Sequence, residues 1–253
     1  MKRRIRHHSL TRGLLAGAIA LSTTAWAQDQ RVFWIGPDAA CEYATIQEAL
    51  AASAGTQPYD ELRLSLDYRH SKQVSLPNGL NVRGGFAGCE GRSSGTYTVL
   101  HAPAMQPLFV IAASNTGSSS TLTDLQLIGD NFGPRQGGVI RMEPGSSWLV
   151  LDNVLIRNGS AIEGGAIYMA GGGNRLEIRD SQLADNEAVA GGGIYCSEGS
   201  TVALHSGRIE ENTAQAAGGG LFVQPGCELV AEPADIARIV VGNRVKEQEI
   251  AGL

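Results

Sequence analysis

Apolar residues in the second half of the chain fall in short alternating runs broken by glycine. Leu149-Val150-Leu151, Leu176-Glu177-Ile178 and Val202-Ala203-Leu204 form one set; Ile167-Tyr168-Met169 and Ile194-Tyr195 form another. Alternation over three to five residues predicts short strands, and no window here keeps the i, i+3, i+4, i+7 stripe of a helix. The runs recur at a fixed interval. Gln136-Gly137-Gly138-Val139-Ile140, Glu163-Gly164-Gly165-Ala166-Ile167, Ala190-Gly191-Gly192-Gly193-Ile194 and Ala217-Gly218-Gly219-Gly220-Leu221 end alike, and their anchors Ile140, Ile167, Ile194 and Leu221 are each 27 residues apart. A second mark is an asparagine three residues after an aliphatic one: Ile128/Asn131, Leu155/Asn158, Leu183/Asn186, Ile209/Asn212 and Val240/Asn243.

A period in this range predicts a solenoid. Coils of ~27 residues holding three short strands predict an all-β parallel β-helix, its coils stacked ~4.8 Å apart with columns of inward aliphatics. The regular repeats span residues 122–243. Asn131, Asn158, Asn186 and Asn212 read as a ladder at one turn, because Asn tolerates the left-handed conformation and can donate and accept along the stack. Gly137 and Gly138, Gly164 and Gly165, Gly191 and Gly192, and Gly218 and Gly219 mark a second turn, where a Cβ is excluded. Both columns specify the coil and carry no chemistry.

The front of the chain supplies a lid for the stack. Thr45 and Glu48 form a capping box ahead of Ile46, Ala49 and Leu50, which predicts a short helix capping the first coil within residues 28–60. Leu62 to Leu66 and Leu80 to Gly85 read as early, less regular coils. Further upstream, five basic residues (Lys2, Arg3, Arg4, Arg6 and Arg12), an apolar run from Gly13 to Leu21, and Ala25-Trp26-Ala27 make the three parts of a secretory signal peptide over residues 1–27. The mature domain is then 28–253, and no later segment is long and apolar enough for a membrane-spanning helix.

Composition narrows the function. Glycine numbers 33 in 253 residues, against a usual share of roughly 7%. Taking the five basic residues of the leader from a total of 20 leaves 15 against 25 acids, a net charge of about −10. So acidic a body is a poor match for nucleic acid. Four cysteines in an exported chain predict two disulfides, and they lack the clustered spacing of a zinc site. Cys196 lies two residues past one aliphatic anchor and Cys227 six past the next, so they occupy neighbouring coils and are expected to pair. Cys41–Cys89 is left by elimination.

The Gly-Gly-(Ala/Gly/Val)-(Ile/Leu) and aliphatic-x-x-Asn marks resemble the repeat of the polymorphic outer membrane proteins and, more broadly, the right-handed parallel β-helix, or pectin-lyase-like, superfamily. The usual Phe at the aliphatic mark is replaced by Ile, Leu or Val, while the glycine half is kept. Cys41-Glu42-Tyr43-Ala44-Thr45-Ile46-Gln47-Glu48-Ala49-Leu50 is similar to the segment that opens many pectin-lyase-like domains. The resemblance implies a right-handed coil and surface display. It also implies a search for a polysaccharide-cleaving site, because the family's enzymes use Asp clusters, Arg and often Ca²⁺. If the coils stack in register, Arg157 lies one step from Asp130 and Asp185, and Asp152 beside Asp180; these are the candidate catalytic residues. The competing reading is a charge ladder on a solvated face, and the sequence favours it.

The expected function is that of an exported, non-enzymatic scaffold or adhesin at the cell surface or outside the cell, without cofactor, meeting surface polysaccharide or a host or cell-surface protein. The alternative is a lyase or glycoside hydrolase acting on acidic polysaccharide, with Ca²⁺ as its ion. The chain ends where the next Gly-Gly mark falls due, so the reading expects a solenoid interrupted within a coil, its C-terminal edge open to self-association.

Overall fold

The computed structural model describes residues 30–53, 60–113, 117–130 and 136–246. The leader over residues 1–27 and Asn131 lie outside the described residues. The chain winds into a parallel β-solenoid of about seven turns, with three sheets. Sheet A has twelve strands, sheet B six and sheet C four. Each regular coil contributes to A, then C, then B, and the Gly-Gly turn joins C to B.

On sheet B the register keeps the 27-residue interval from Ile140 onward, after two longer early coils. Val74, Phe109, Ile140, Ile167, Ile194 and Leu221 stack strand on strand, and all but Leu221 are buried. Full burial of each such side chain stabilises by roughly 1.5–3 kcal/mol, so repeated columns supply the cohesion that a single coil lacks. On sheet A the interval drops to 26, because the turn 197–200 is one residue shorter than 170–174 and Leu176 pairs with Val202. The missing residue returns in a bulge on sheet C, where Ala188 faces Ala214 but Ala190 faces Ala217. Each turn therefore absorbs its own length change.

The asparagine column differs from the expected one. The strand pairing sets Ile156 opposite Leu183 and Leu155 opposite Gln182. Ile156, with Leu127 before it, is thus the inward residue, and the interval from Asn158 to Asn186 is one residue too long. The observed ladder runs from Gly159 through Asn186 and Asn212 to Asn243. Gly159 N donates to Asn186 Oδ1 at 2.8 Å, Asn186 N and Nδ2 donate to Asn212 Oδ1 at 3.0 and 2.8 Å, and Asn212 N and Nδ2 both donate to Asn243 Oδ1 at 3.0 Å. Asn158 is exposed one position earlier, in a left-handed column with Asp185, Glu211 and Gly242, at φ of 57°, 56°, 52° and 64°. Its amide serves the turn conformation, which short polar residues and glycine tolerate.

Both ends carry a helix. At the N-terminal end α1 (Ile46–Ala52) has the Thr45/Glu48 capping box and buries Ile46 and Ala49. Its first amide is held by a buried relay: Ile46 N donates to Tyr68 Oη at 3.1 Å, Tyr68 Oη meets His70 Nδ1 at 2.9 Å, and His70 Nε2 meets the Lys72 carbonyl. The carbonyl can only accept, so Nε2 carries the proton and Nδ1 accepts from the phenol. Burial holds the His70 pKa below its ordinary 6.5. The unfolded chain consequently takes up this proton first, and stability present above pH 6.5 should fall as pH drops through the folded-state value. Urea denaturation between pH 8 and 5 checks this; His70→Gln should flatten the slope, and an unchanged slope would place the dependence elsewhere.

At the other end α2 (Pro233–Ile239) enters between strands Glu228–Val230 and Val240–Val241, a helix that strand periodicity did not anticipate. Pro233 sits at its first turn, and Ile239 is buried against the last coil. The end expected to be open is therefore covered in part. Two disulfides tie the stack, Cys41–Cys89 and Cys196–Cys227, with Cα separations of 5.0 and 6.1 Å; such bridges fit an oxidising compartment.

Candidate functional site

The outer face of sheet A carries a row of charged side chains with Trp148 beside it. Strand Arg175–Arg179 points Leu176 and Ile178 inward and Arg175, Glu177 and Arg179 outward, as its alternation requires. Glu177 lies between Val150 and Ala203 on the adjacent strands, and its side chain is only 3% exposed. Arg175 Nε donates to Glu177 Oε1 at 2.8 Å, Arg179 Nη2 donates to Oε2 at 2.6 Å, and His205 Nε2 lies 3.4 Å from Oε2. The Arg175 guanidinium also stacks over Trp148, 5.3 Å from the ring centre.

Burial pushes the Glu177 pKa up, but the hydrogen bonds and charges of Arg175 and Arg179 outweigh it and hold the carboxyl below its ordinary range. An ionised carboxylate with both oxygens engaged has no proton to give as a general acid. Arg175, Arg179 and His205 are by contrast 44%, 50% and 47% exposed. The remaining N–H groups of the two guanidinium groups face solvent on a fixed frame, the arrangement that receives carboxylate, sulfate or phosphate oxygens. Beyond His205 a groove of about 450 Å³ continues past Glu228, Val230, Glu232 and Asp235.

The residues singled out in the sequence do not form one centre. Asp152 is in register with Arg179, at the rim of the Glu177 cluster. Asp180 therefore stands beside Asn153 rather than Asp152; both are left-handed, at φ of 45° and 54°, and Asp180 N donates to Ser206 Oγ at 2.8 Å. Arg157 pairs across its strand with Ile128 and Ala184. With the Gln126 amide oxygen turned towards it, the Arg157 guanidinium donates twice, at 2.7 and 2.8 Å. Asp185 is exposed on its left-handed turn. Among the described residues no group of three or more His, Cys, Asp or Glu side chains could hold a metal ion.

A second polar group escaped the sequence reading. Asp124 accepts from Arg83 Nε at 3.1 Å, Ser93 Oγ at 3.1 Å and Asn153 Nδ2 at 2.8 Å. Alternate spacing was the one available signal for the Arg175-x-Glu177-x-Arg179 row; His205 and Asp124 join their clusters only through long-range register. No family model matches this chain, and comparison with curated proteins and with solved structures likewise finds no match.

Proposed function

We propose that the protein is exported and works outside the cell as a non-enzymatic β-solenoid scaffold that binds anionic groups, such as those of surface polysaccharide, along the outer face of sheet A. The observation behind this reading is the Glu177 cluster: an ionised, fully engaged carboxylate that fixes two half-exposed arginines and a histidine in place. Such a site orients an anion without offering a proton. The Gly-Gly-aliphatic mark and the capped first coil support a place near the pectin-lyase-like proteins and the polymorphic outer membrane protein repeats. A lyase or hydrolase reading draws on Asp152 beside Arg179, a carboxylate next to a guanidinium.

One experiment separates the two. Mature protein is titrated with polygalacturonate and with a neutral glucan, and new unsaturated or reducing ends are followed with and without Ca²⁺. Binding of the acidic polymer alone, weakened at least tenfold by Arg175→Ala with Arg179→Ala and by added salt, is the expected result. Sustained turnover lost in Asp152→Ala or Asp180→Ala would replace the scaffold with an enzyme.

A further inference from the structure

We propose that the C-terminal face of the solenoid is a docking surface for a second copy of this chain, joined end to end about a two-fold axis that passes through sheet B. Among the described residues, strands Leu221–Val223, Glu228–Val230 and Arg244–Val245 each close a sheet and pair on one side only. Helix α2 packs beside strands Gly207–Glu210, Val240–Val241 and Thr201–Leu204, and among the described residues no strand pairs with the outer side of these three edges. Such edges are templates for further pairing.

Three of the exposed apolar residues fall at the same place. Val223, Val230 and Val245 are 38%, 43% and 48% exposed. Two of them continue inward columns: Val223 follows Met142, Met169 and Cys196, and Val245 follows Ala188 and Ala214, all buried. Among the described residues nothing stacks on these core positions. At the opposite end Tyr43 already pairs with the front edge of Val32–Ile35 and α1 packs on that strand, so a head-to-tail stack meets an occupied edge on sheet A, and the two C-terminal faces are left to meet each other.

Two observations favour a second copy over an unrelated strand. The outer face of sheet B carries a stack of aromatic rings, Tyr168 on Tyr195 at 5.5 Å and Tyr195 on Phe222 at 5.0 Å. Phe222 is the middle residue of the three-residue edge strand. Antiparallel pairing about that residue sets Phe222 opposite Phe222 of the second copy, at the ~4.5–5.5 Å of a direct cross-strand pair, and the stack runs on across the axis. The same rotation exchanges sheets A and C, so the edge Glu228–Val230 meets the edge Arg244–Val245 of the other copy. Glu228, exposed and without an ion pair among the described residues, then faces Arg244 and Lys246, which are 75% and 55% exposed. A rotation about sheet A would instead bring Glu228 against Glu228. An isologous contact of this kind closes at two copies.

The test is the molar mass of mature protein by light scattering and sedimentation over a concentration series. A dimer is expected, with Glu228→Lys weakening it at least tenfold and the double variant Glu228→Lys/Arg244→Glu restoring it, circular dichroism reporting that each variant is folded. In a second arm, Phe222→Cys should cross-link to itself under oxidation, while Tyr168→Cys, two strands from the edge, should not. A monomer at high concentration, open assemblies beyond two copies, or a dimer indifferent to Glu228→Lys would each overturn the proposal. None of these readouts depends on what sheet A binds.

Discussion

Asn212→Leu should destabilise the fold by about 4 kcal/mol, whereas Asn158→Leu should lose only about 1–2 kcal/mol. The two belong to the same sequence mark but do different work. Asn212 is fully buried; its Oδ1 accepts from Asn186 N and Nδ2, and its Nδ2 donates to the Leu183 carbonyl at 2.8 Å. Leucine removes those partners at once and strands a buried backbone N–H and a C=O, at about 1–3 kcal/mol for each unsatisfied group. Asn158 is exposed and pays only for its left-handed backbone. Equilibrium denaturation with the disulfides intact compares them, and equal losses would mean that the buried column contributes no more than the turn.

Gly192→Ala should be comparably damaging, at about 4 kcal/mol. A Cβ there would lie 2.3 Å from the Gly219 carbonyl oxygen and 2.5 Å from that of Thr213. Both are backbone atoms of the next coil, so no side chain can rotate away and the coils must part. The strain is spatial, since only the first glycine of the pair, Gly191, has a positive φ, at 67°. Gly171 is the natural comparison: it lacks a positive φ, and the nearest backbone atom to a Cβ there, the Glu198 carbonyl oxygen, lies at 3.0 Å. Denaturation of Gly192→Ala beside Gly171→Ala tests the distinction, and a neutral Gly192→Ala would show that coil spacing adjusts freely.

Solenoid, interval and capping helix were legible because they rest on repetition and on a local hydrogen-bond pattern. The register error at Leu155 and Asn158 has a definite source. Leu155 and Ile156 are both aliphatic, so alternation does not choose between them, and Asn suits a left-handed turn as well as a buried ladder. Only the strand pairing separates the two uses. The Glu177 cluster shows the opposite limit. Its row along one strand follows from alternation, but His205 reaches it because a four-residue turn at 197–200 shortens one coil, a change no period detects. Helix α2 was missed because strand-like alternation dominates the region, although Glu232-Pro233 is a recognisable helix start.

The two disulfides set the path that force takes through the molecule. In a linear array the outermost units fray first, and here the outermost units are the ones that are covalently closed. Tension applied at the front peels strand Val32–Ile35 and then arrives at Cys41, where the bridge hands it to Cys89 and shields residues 42–88. Tension from the back strips Arg244–Val245, Val240–Val241, α2 and Glu228–Val230, then passes from Cys227 to Cys196 and spares 197–226. Once those outer strands are off, the coils between Cys89 and Cys196 carry the full load, so rupture should continue in the middle of the stack rather than through the bridged segments, and reducing agent should let it run on through them.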